Sequence, residues 1–214
     1  MYEIPELVTT YRLSKFGYGM FLNGGLALPT GPLSQIIEPS AGLGVGIEVA
    51  YRQNLLMAQT TMFSSSIRSG FTYHNQAWEA GIPVMPLIGE LAVGHILQST
   101  PAGRIIPYVG YRYFSITPRD HQDERFRDFS LKSHAPEAGL IVDLKLMNNL
   151  HKTDRSEDNF LFLRAKVSYS PLLTPEPFSG GIINFQIGLS GFSRIRKVIY
   201  QPRRTSITLP NKFM

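Results

Sequence analysis

The chain has 214 residues, a formal net charge of +5, 17% charged residues and no cysteine. The lack of cysteine excludes disulfides, thiolate metal sites, a cysteine nucleophile and a lipidated N-terminal cysteine. No uninterrupted apolar run reaches about 18 residues, so no transmembrane helix is predicted. The basic residues are scattered rather than gathered on one helix face, which argues against nucleic-acid binding.

Eight segments alternate apolar and polar residues with a period of two, and this pattern predicts β-strands. In the second segment the odd-numbered positions from Leu43 to Tyr51 are apolar, while the even-numbered positions carry Gly, Ala, Glu48 and Arg52. In chain order the predicted strands are residues 18–28, 41–52, 55–63, 87–97, 104–115, 139–147, 160–170 and 182–192.

The length and spacing of these strands favour a membrane protein. Each has about 9–12 residues, enough to cross a bilayer when tilted, whereas strands of soluble proteins average about 5–6. Short connections at 53–54 and 98–103 alternate with long ones at 29–40, 64–86 and 117–138, as in outer-membrane barrels. The connection at 148–159 is longer than a periplasmic turn is expected to be.

The sequence therefore predicts an all-β fold, a closed eight-stranded antiparallel up-and-down transmembrane β-barrel. We expect the barrel at 15–193, an N-terminal periplasmic segment at 1–14 and a basic C-terminal periplasmic tail at 194–214. Met1 is followed by residues too polar for an export signal, so the chain is interpreted as a mature form whose signal peptide has been removed.

The face opposite the apolar one carries charges of both signs. Alternation alone leaves either face free to point inward, but strands in lipid must turn their apolar face outward. The polar face would then fill a narrow lumen, where acids and bases can pair. The predicted lumen network is Glu48, Arg52, Glu90, Arg112, Asp143, Lys145, Arg164 and Lys166.

Four runs resemble a known family: FLNGGLALPTG at 21–31, GLGVGIE at 42–48, IPYVGY at 106–111 and INFQIGLSGF at 183–192. They are similar to strands of the OmpA-like outer membrane protein beta-barrel domain family common in Bacteroidetes. The last run resembles the aromatic-ended signal read by the barrel-assembly machinery. The resemblance covers roughly residues 15–193 and implies an outer-membrane location; the chain differs from the family pattern by continuing past the last strand.

That continuation is basic, and it is either a disordered tail or a docking segment for a periplasmic or membrane partner. The basic residues predicted to dock a partner are Arg194, Arg196, Lys197, Arg203 and Arg204.

Other residues could suggest chemistry. Ser133 and His134 resemble part of a hydrolase or metal site, together with Asp120, His121, Asp123 and Glu124. All are expected in one long, solvated loop, so we predict no catalytic residue, no metal and no cofactor. The same loop could bind lipopolysaccharide phosphates through Arg119, Arg125 and Arg127, or divalent ions through Asp120, Asp123, Glu124 and Asp128.

The predicted function is a structural or scaffolding role, as an accessory subunit of a larger outer-membrane complex. The alternatives are an outer-membrane lipid-modifying hydrolase, a small adhesin or channel, and a soluble ligand-binding barrel. The expected partners are outer-membrane lipid, lipopolysaccharide and other outer-membrane or periplasmic proteins, without nucleic acid.

Overall fold

Eight long strands form one antiparallel sheet that closes on itself. The computed structural model describes residues 7–73, 76–100, 102–119, 129–148, 157–172 and 179–202. Its elements in chain order are β1 (Leu7–Thr30), α1 (Leu33–Ile36), β2 (Ser40–Tyr51), β3 (Asn54–Ser66), β4 (Phe71–Tyr73), β5 (Gln76–Trp78), β6 (Pro83–His95), β7 (Gln98–Ser99), β8 (Gly103–Pro118), β9 (Leu131–Asn148), β10 (Glu157–Leu172) and β11 (Gly180–Pro202).

The strands follow one another around the barrel in the order β6-β3-β2-β1-β11-β10-β9-β8, and pairing of β6 with β8 closes the ring. β7 adds a two-residue ladder to the start of β8, and β4 pairs with β5 in a separate hairpin. The predicted closed, eight-stranded, antiparallel up-and-down barrel is confirmed. Among the described residues, no helix is long and apolar enough to cross a membrane.

The register fixes the tilt of the strands. Paired residues followed from Ala27 on β1 around the whole sheet lead back to Gly17 on the same strand, ten positions earlier. With strands about 4.8 Å apart and a rise of about 3.4 Å per residue, this stagger corresponds to a tilt of roughly 40°. The lumen of such a barrel is filled by side chains.

The alternation of the strands places apolar side chains outside and polar side chains inside over most of the barrel. Leu43 on β2 and Val109 on β8 are 70% and 65% exposed, whereas Glu48 and Arg112 on the same strands are each 1% exposed. This is the reverse of a soluble barrel, and it resolves the ambiguity that alternation alone had left.

The two ends of the barrel differ. We call the end that carries the β2–β3 turn, β7, the start of β1 and the end of β11 the turn end. The opposite end, which carries α1 and the β4–β5 hairpin, is the loop end. At the turn end, Arg52 and Gln53 alone join β2 to β3, and Arg52 adopts a left-handed conformation (φ 58°) as such tight hairpins require.

Three predicted boundaries need correction. β9 begins at Leu131 rather than at 139, so residues assigned to a long loop belong to the barrel wall. β1 begins at Leu7 and β11 continues to Pro202. The segments predicted to lie outside the barrel therefore contribute strand, and they pair with each other over Leu7–Leu13 and residues 196–202. Residues 1–6 and 203–214 lie outside the described residues.

Candidate functional site

Four charged side chains form a closed ring inside the barrel near the turn end. Arg104 on β8 binds Asp143 Oδ2 through Nε (2.7 Å) and Glu48 Oε1 through Nη2 (2.8 Å). Arg164 on β10 binds the same two carboxylates, Asp143 Oδ1 at 2.8 Å and Glu48 Oε2 at 2.6 Å. Each arginine therefore bridges both acids. We call these residues the turn-end cluster.

A second set of four charges lies nearer the middle of the lumen. Arg112 on β8 binds Glu90 Oε2 at 3.0 Å and Glu137 Oε1 at 2.5 Å. Lys166 on β10 donates to Glu90 Oε1 and to Gln59 Oε1, the latter at 3.1 Å. These charged residues, Glu90, Arg112, Glu137 and Lys166, are the mid-lumen cluster.

Each cluster contains two acids and two bases, so each has a formal charge of zero. All eight side chains are at most 7% exposed. Removing a charge from water costs several kcal/mol, and that cost is offset only where the geometry is good and further hydrogen bonds are made. The two-way contacts of the arginines and neutral donors, such as Tyr108 Oη to Glu137 Oε1 at 2.7 Å, provide those bonds.

Aromatic rings complete the packing around the cations. The guanidinium of Arg104 lies 4.6 Å from the ring centres of both Phe162 and Phe192. Arg164 lies 4.7 Å from the ring centre of Phe21. Phe21 in turn occupies the space left by Gly46, where an added Cβ would lie 2.3 Å from Cζ of the ring. Glycines of the polar face thus make room for rings that hold the arginines.

Amide side chains link the mid-lumen cluster to the strands on the other side of the barrel. Gln186 Oε1 accepts from Asn23 Nδ2 and from Gln59 Nε2, each at 3.1 Å. Gln59 also meets Lys166, so β1, β3, β10 and β11 share one hydrogen-bonded layer. The lumen is therefore crossed by polar contacts at two levels.

The structure brings six of the eight residues of the predicted lumen network together in these clusters. Arg52 is not among them, because β2 ends at Tyr51 and the two-residue turn leaves Arg52 exposed, with its guanidinium 5.6 Å from the Tyr51 ring centre. Lys145 is half-buried at the turn end, where its ammonium lies 4.9 Å from the Phe160 ring centre. Its position next to an aromatic ring, beyond Asp143, keeps it outside the turn-end cluster.

Two cluster members were missed from the sequence. Arg104 lies on the same face of its strand as Arg112, so extending the period-two pattern would have found it. Glu137 lies on the same face as Asp143, but it was assigned to a loop because residues 131–138 contain Lys132, His134 and Pro136.

At the loop end the interior is apolar rather than ionic. The charged network that was predicted to fill the lumen therefore occupies only part of its length. Buried residues from the barrel wall pack there beneath α1 and the β4–β5 hairpin, which together form the cap. The cap and wall residues in this cluster include Leu33, Ile36, Phe63, Ile67, Trp78, Val84, Ile88, Phe114, Leu131 and Ile182.

Hydrogen bonds hold the cap to the wall. Arg68 Nη1 donates to Ser34 O at 2.9 Å, and the backbone N–H of Leu33 donates to Ser179 O at 3.1 Å. The Ile67 N–H donates to Ile82 O at 3.0 Å. The loop end is consequently closed by folded chain.

Of the predicted hydrolase site, the structure describes Ser133 and His134, and it does not bring these two together. Ser133 and His134 are neighbours on β9 and point to opposite sides of the wall. The His134 ring is exposed outside, 5.7 Å from the Tyr111 ring centre and 5.2 Å from that of Tyr113. A nucleophile and its base must be within hydrogen-bond reach, so these two cannot form a dyad. Within the described ranges, no three His, Asp or Glu side chains come together as metal ligands.

The structure describes only some of the residues predicted in the basic tail and in the long charged loop. Arg194 is half-buried, and its guanidinium lies 5.9 Å from the Phe192 ring centre. Arg196 and Lys197 lie on β11, where their backbones pair with β1. Arg119 is exposed after β8. The remaining residues fall outside the described part of the chain: Asp120, His121, Asp123, Glu124, Arg125, Arg127, Asp128, Arg203 and Arg204.

No protein-family model and no curated protein matches the sequence. Among solved structures, the chain is similar to Ail, the attachment invasion locus protein of Yersinia pestis, in complex with the heparin analogue sucrose octasulfate (8% identity, 84% of this chain and 99% of that chain covered, TM-score 0.45). It is also similar to Neisserial surface protein A (11% identity, 86% and 98% covered, TM-score 0.43). A third likeness is to the outer membrane protein OprG from Pseudomonas aeruginosa (9% identity, 85% and 95% covered, TM-score 0.40). The fold assignment itself rests on the strand register.

Proposed function

We propose that this protein is an integral outer-membrane barrel that does not conduct ions and serves as a scaffold, as an accessory subunit of a larger outer-membrane complex. The observation that carries the proposal is the filled lumen. Two neutral ionic clusters cross the lumen, and an apolar cap closes the loop end. An ion would have to displace buried, mutually paired charges, which costs several kcal/mol for each unpaired charge.

The outer surface supports the membrane location. Large apolar side chains are exposed on every long strand, among them Met20 (64%), Ile47 (58%) and Ile187 (60%). On β2 the apolar positions run from Leu43 to Tyr51, about 27 Å along the strand and about 20 Å along the barrel axis at the tilt derived above. Outer-membrane barrels have an apolar band of about 25 Å, and a surface of this kind in water would aggregate.

A two-stranded ribbon at the turn end supports the role as a subunit. β1 pairs with β2 only from Phe16 onward, and β10 pairs with β11 only up to Ile195. Leu7–Leu13 and residues 196–202 therefore pair only with each other among the described strands. Seven pairs extend about 23 Å past the barrel. Edges of this kind accept further strands.

The charge of the ribbon indicates the chemistry of a partner. Its sequence contains Arg12, Arg196 and Lys197 and no Asp or Glu. An acidic periplasmic or outer-membrane protein would complement this charge, and attraction over a Debye length of about 8 Å would guide its approach.

The first test is conductance. Purified protein reconstituted in planar bilayers is expected to give no ion channels, and the matched variant Arg52→Gln should behave in the same way. Stable single-channel steps from the wild-type protein would contradict the non-conducting scaffold.

The second test is mild-detergent purification from the native membrane, followed by mass spectrometry. We expect a stoichiometric partner with the wild-type chain, loss of that partner with Arg196→Glu on the ribbon, and retention with Arg52→Glu in the exposed turn. Recovery of the barrel alone in all three preparations would end the accessory-subunit proposal.

We also propose that the chain belongs to the OmpA-like barrel family named above. The motifs in β1, β2, β8 and β11 support an OmpA-like barrel of the Bacteroidetes type.

The hydrolase alternative is not supported by Ser133 and His134, because these two side chains point to opposite sides of β9. Adhesion or lipopolysaccharide binding through residues 119–128 remains an alternative, and it would be tested by binding of lipopolysaccharide to intact protein and to a variant with Arg119, Arg125 and Arg127 replaced by glutamine.

A further inference from the structure

A cavity of about 60 Å³ lies inside the barrel at the loop end, beneath the cap and above the mid-lumen cluster. Its wall is almost entirely aliphatic and aromatic. The principal wall residues are Ala27, Phe63, Ile88, Phe114, Leu131 and Ile182. Protein interiors are packed to near-crystalline density, so a space of this size among buried residues calls for an account of what occupies it.

The hydroxyl of Ser133 is the polar group that a ligand in this cavity could bind. Ser133 lines the cavity from β9, and its Oγ is fully buried without a hydrogen-bond partner among the described protein atoms. Leaving such a group unsatisfied is unfavourable. The remaining polar lining residues are Ser40, Tyr73 and the exposed Lys132.

An ordered water is a poor occupant of such a space. A buried water needs 2–4 polar partners, and one water fills only part of a space of about 60 Å³ whose wall is mostly aliphatic and aromatic. A molecule with an apolar body and one polar group fits better, because its carbon atoms contact the aliphatic wall while its polar group satisfies Ser133. A charged ligand is disfavoured, since the nearby ions of the mid-lumen cluster already bind one another.

We propose that this cavity is a binding site for a small uncharged molecule with a short aliphatic body and one hydrogen-bonding group, of the class of the short-chain alcohols, with that group directed at Ser133 Oγ. The size of the cavity sets an upper limit on the ligand. A cavity of about 150 Å³ holds benzene, so a ligand for this one is smaller. The proposal concerns the interior of the barrel and does not depend on the accessory-subunit role.

The chain contains its own reporter for this site. Trp78 is the single tryptophan of the sequence. It lies in the cap, 1% exposed, in the same apolar cluster as Phe63, Phe114 and Leu131 of the cavity wall. A brominated ligand in the cavity would quench its fluorescence by the heavy-atom effect.

The test uses two probes of nearly equal volume, both smaller than benzene: 2-bromoethanol, and bromoethane, which lacks the hydroxyl group. We expect saturable quenching of Trp78 by both probes in the intact, detergent-solubilised protein. Ser133→Ala is expected to weaken 2-bromoethanol binding by about three- to tenfold and to leave bromoethane binding within about twofold, because only the alcohol loses a hydrogen bond.

Substitutions that fill the cavity provide a second test of the proposal. Ala27→Leu should abolish the saturable component for both probes, and Ala27→Val, a smaller change that the fold accommodates more readily, should weaken it. Ala165→Leu is the matched control, since Ala165 faces outward on β10 and is exposed; it should leave both affinities unchanged. Quenching that rises linearly with concentration in the wild-type protein, or that is equal in the wild-type, Ala27→Val and Ala165→Leu proteins, would overturn the proposal.

Discussion

Replacing Glu48 with glutamine removes one of the two negative charges of the turn-end cluster while keeping the size of the side chain. In the folded protein, Arg104 and Arg164 both bind this carboxylate, at 2.8 Å and 2.6 Å. After the change, two buried guanidinium groups share Asp143 alone. Breaking a buried ion pair by removing one partner typically costs about 3–5 kcal/mol, and we expect Glu48→Gln to lower the free energy of unfolding by that amount.

A compensating change separates loss of charge balance from loss of packing. In the double variant Glu48→Gln/Arg104→Met the cluster again has a formal charge of zero. Methionine is unbranched and makes favourable contacts with rings, so it can fill the space between Phe162 and Phe192. We therefore expect the double variant to recover at least half of the stability lost in the single variant. Arg52→Gln, which removes an exposed charge, should change stability by less than about 0.5 kcal/mol.

Urea unfolding in lipid vesicles, followed by Trp78 fluorescence and by the mobility of the folded protein in electrophoresis, measures these differences. With a slope of about 2 kcal/mol per molar urea, Glu48→Gln should lower the midpoint by about 2 M. A midpoint equal to that of Arg52→Gln would refute the energetic importance of the cluster. A double variant less stable than Glu48→Gln alone would refute the argument from charge balance.

Three further predictions follow from the same contacts. Gly46→Ala should destabilise by about 1–3 kcal/mol, because the new Cβ would lie 2.3 Å from Phe21 Cζ, whereas Gly89→Ala, where nothing lies within 4 Å, should be neutral in the same urea assay. Tyr108→Phe should cost about 1.5–3 kcal/mol, because Tyr108 donates a hydrogen bond to the Glu137 carboxylate; an unchanged urea midpoint would contradict the importance of this bond. Raising the salt concentration from 0.05 to 0.5 M should leave the urea midpoint nearly constant, since buried pairs are poorly screened; a large salt-dependent fall would mean that water reaches the clusters.

The strand pattern was predictable because lipid imposes a strict rule on each strand. A residue on the lipid-facing side must be apolar, so alternation is regular where the barrel crosses the apolar band. Glu48, Asp143 and Arg164 were assigned to the lumen on this basis, and they lie there. The pairing of particular acids with particular bases was not predictable, because it depends on the stagger of ten residues, which brings β2 opposite β9 and β10 across the lumen.

The prediction that Arg52 lies in the lumen was wrong because Arg52 belongs to the β2–β3 turn. Period-two alternation continues formally through residue 52, and nothing in that pattern signals that the residue adopts a left-handed conformation. The N–H of Arg52 donates to Lys15 O at 2.7 Å, which ends the ladder and directs its side chain away from the lumen. A one-residue difference in the strand end therefore separates a buried ion from an exposed one.

The missed part of β9 shows a more general effect. From Leu131 to Ala135 the period of two persists, but the polarity of the two faces is exchanged: Leu131 and Ala135 are buried inside, whereas Lys132 and His134 are exposed outside. A sequence reading that assigns the apolar face to lipid interprets this exchange as the end of the strand.

The exchange has a physical cause that connects the surface of the barrel to its interior. Where the outer side of the wall meets water instead of lipid, polar residues are favoured outside, and the hydrophobic effect then favours an apolar interior. β8 changes in the same way, since Phe114 is buried inside while Ser115 next to it is half-exposed on the outer side. His134, whose ring is tilted against that of Tyr113, lies at this level, where aromatic side chains prefer the interface between lipid and water. The loop end is thus built like a small soluble barrel with an apolar core, set on a membrane barrel with an ionic core. The cavity and Ser133 lie within that soluble-like part, so a ligand that enters from the water side does not pass either ionic cluster.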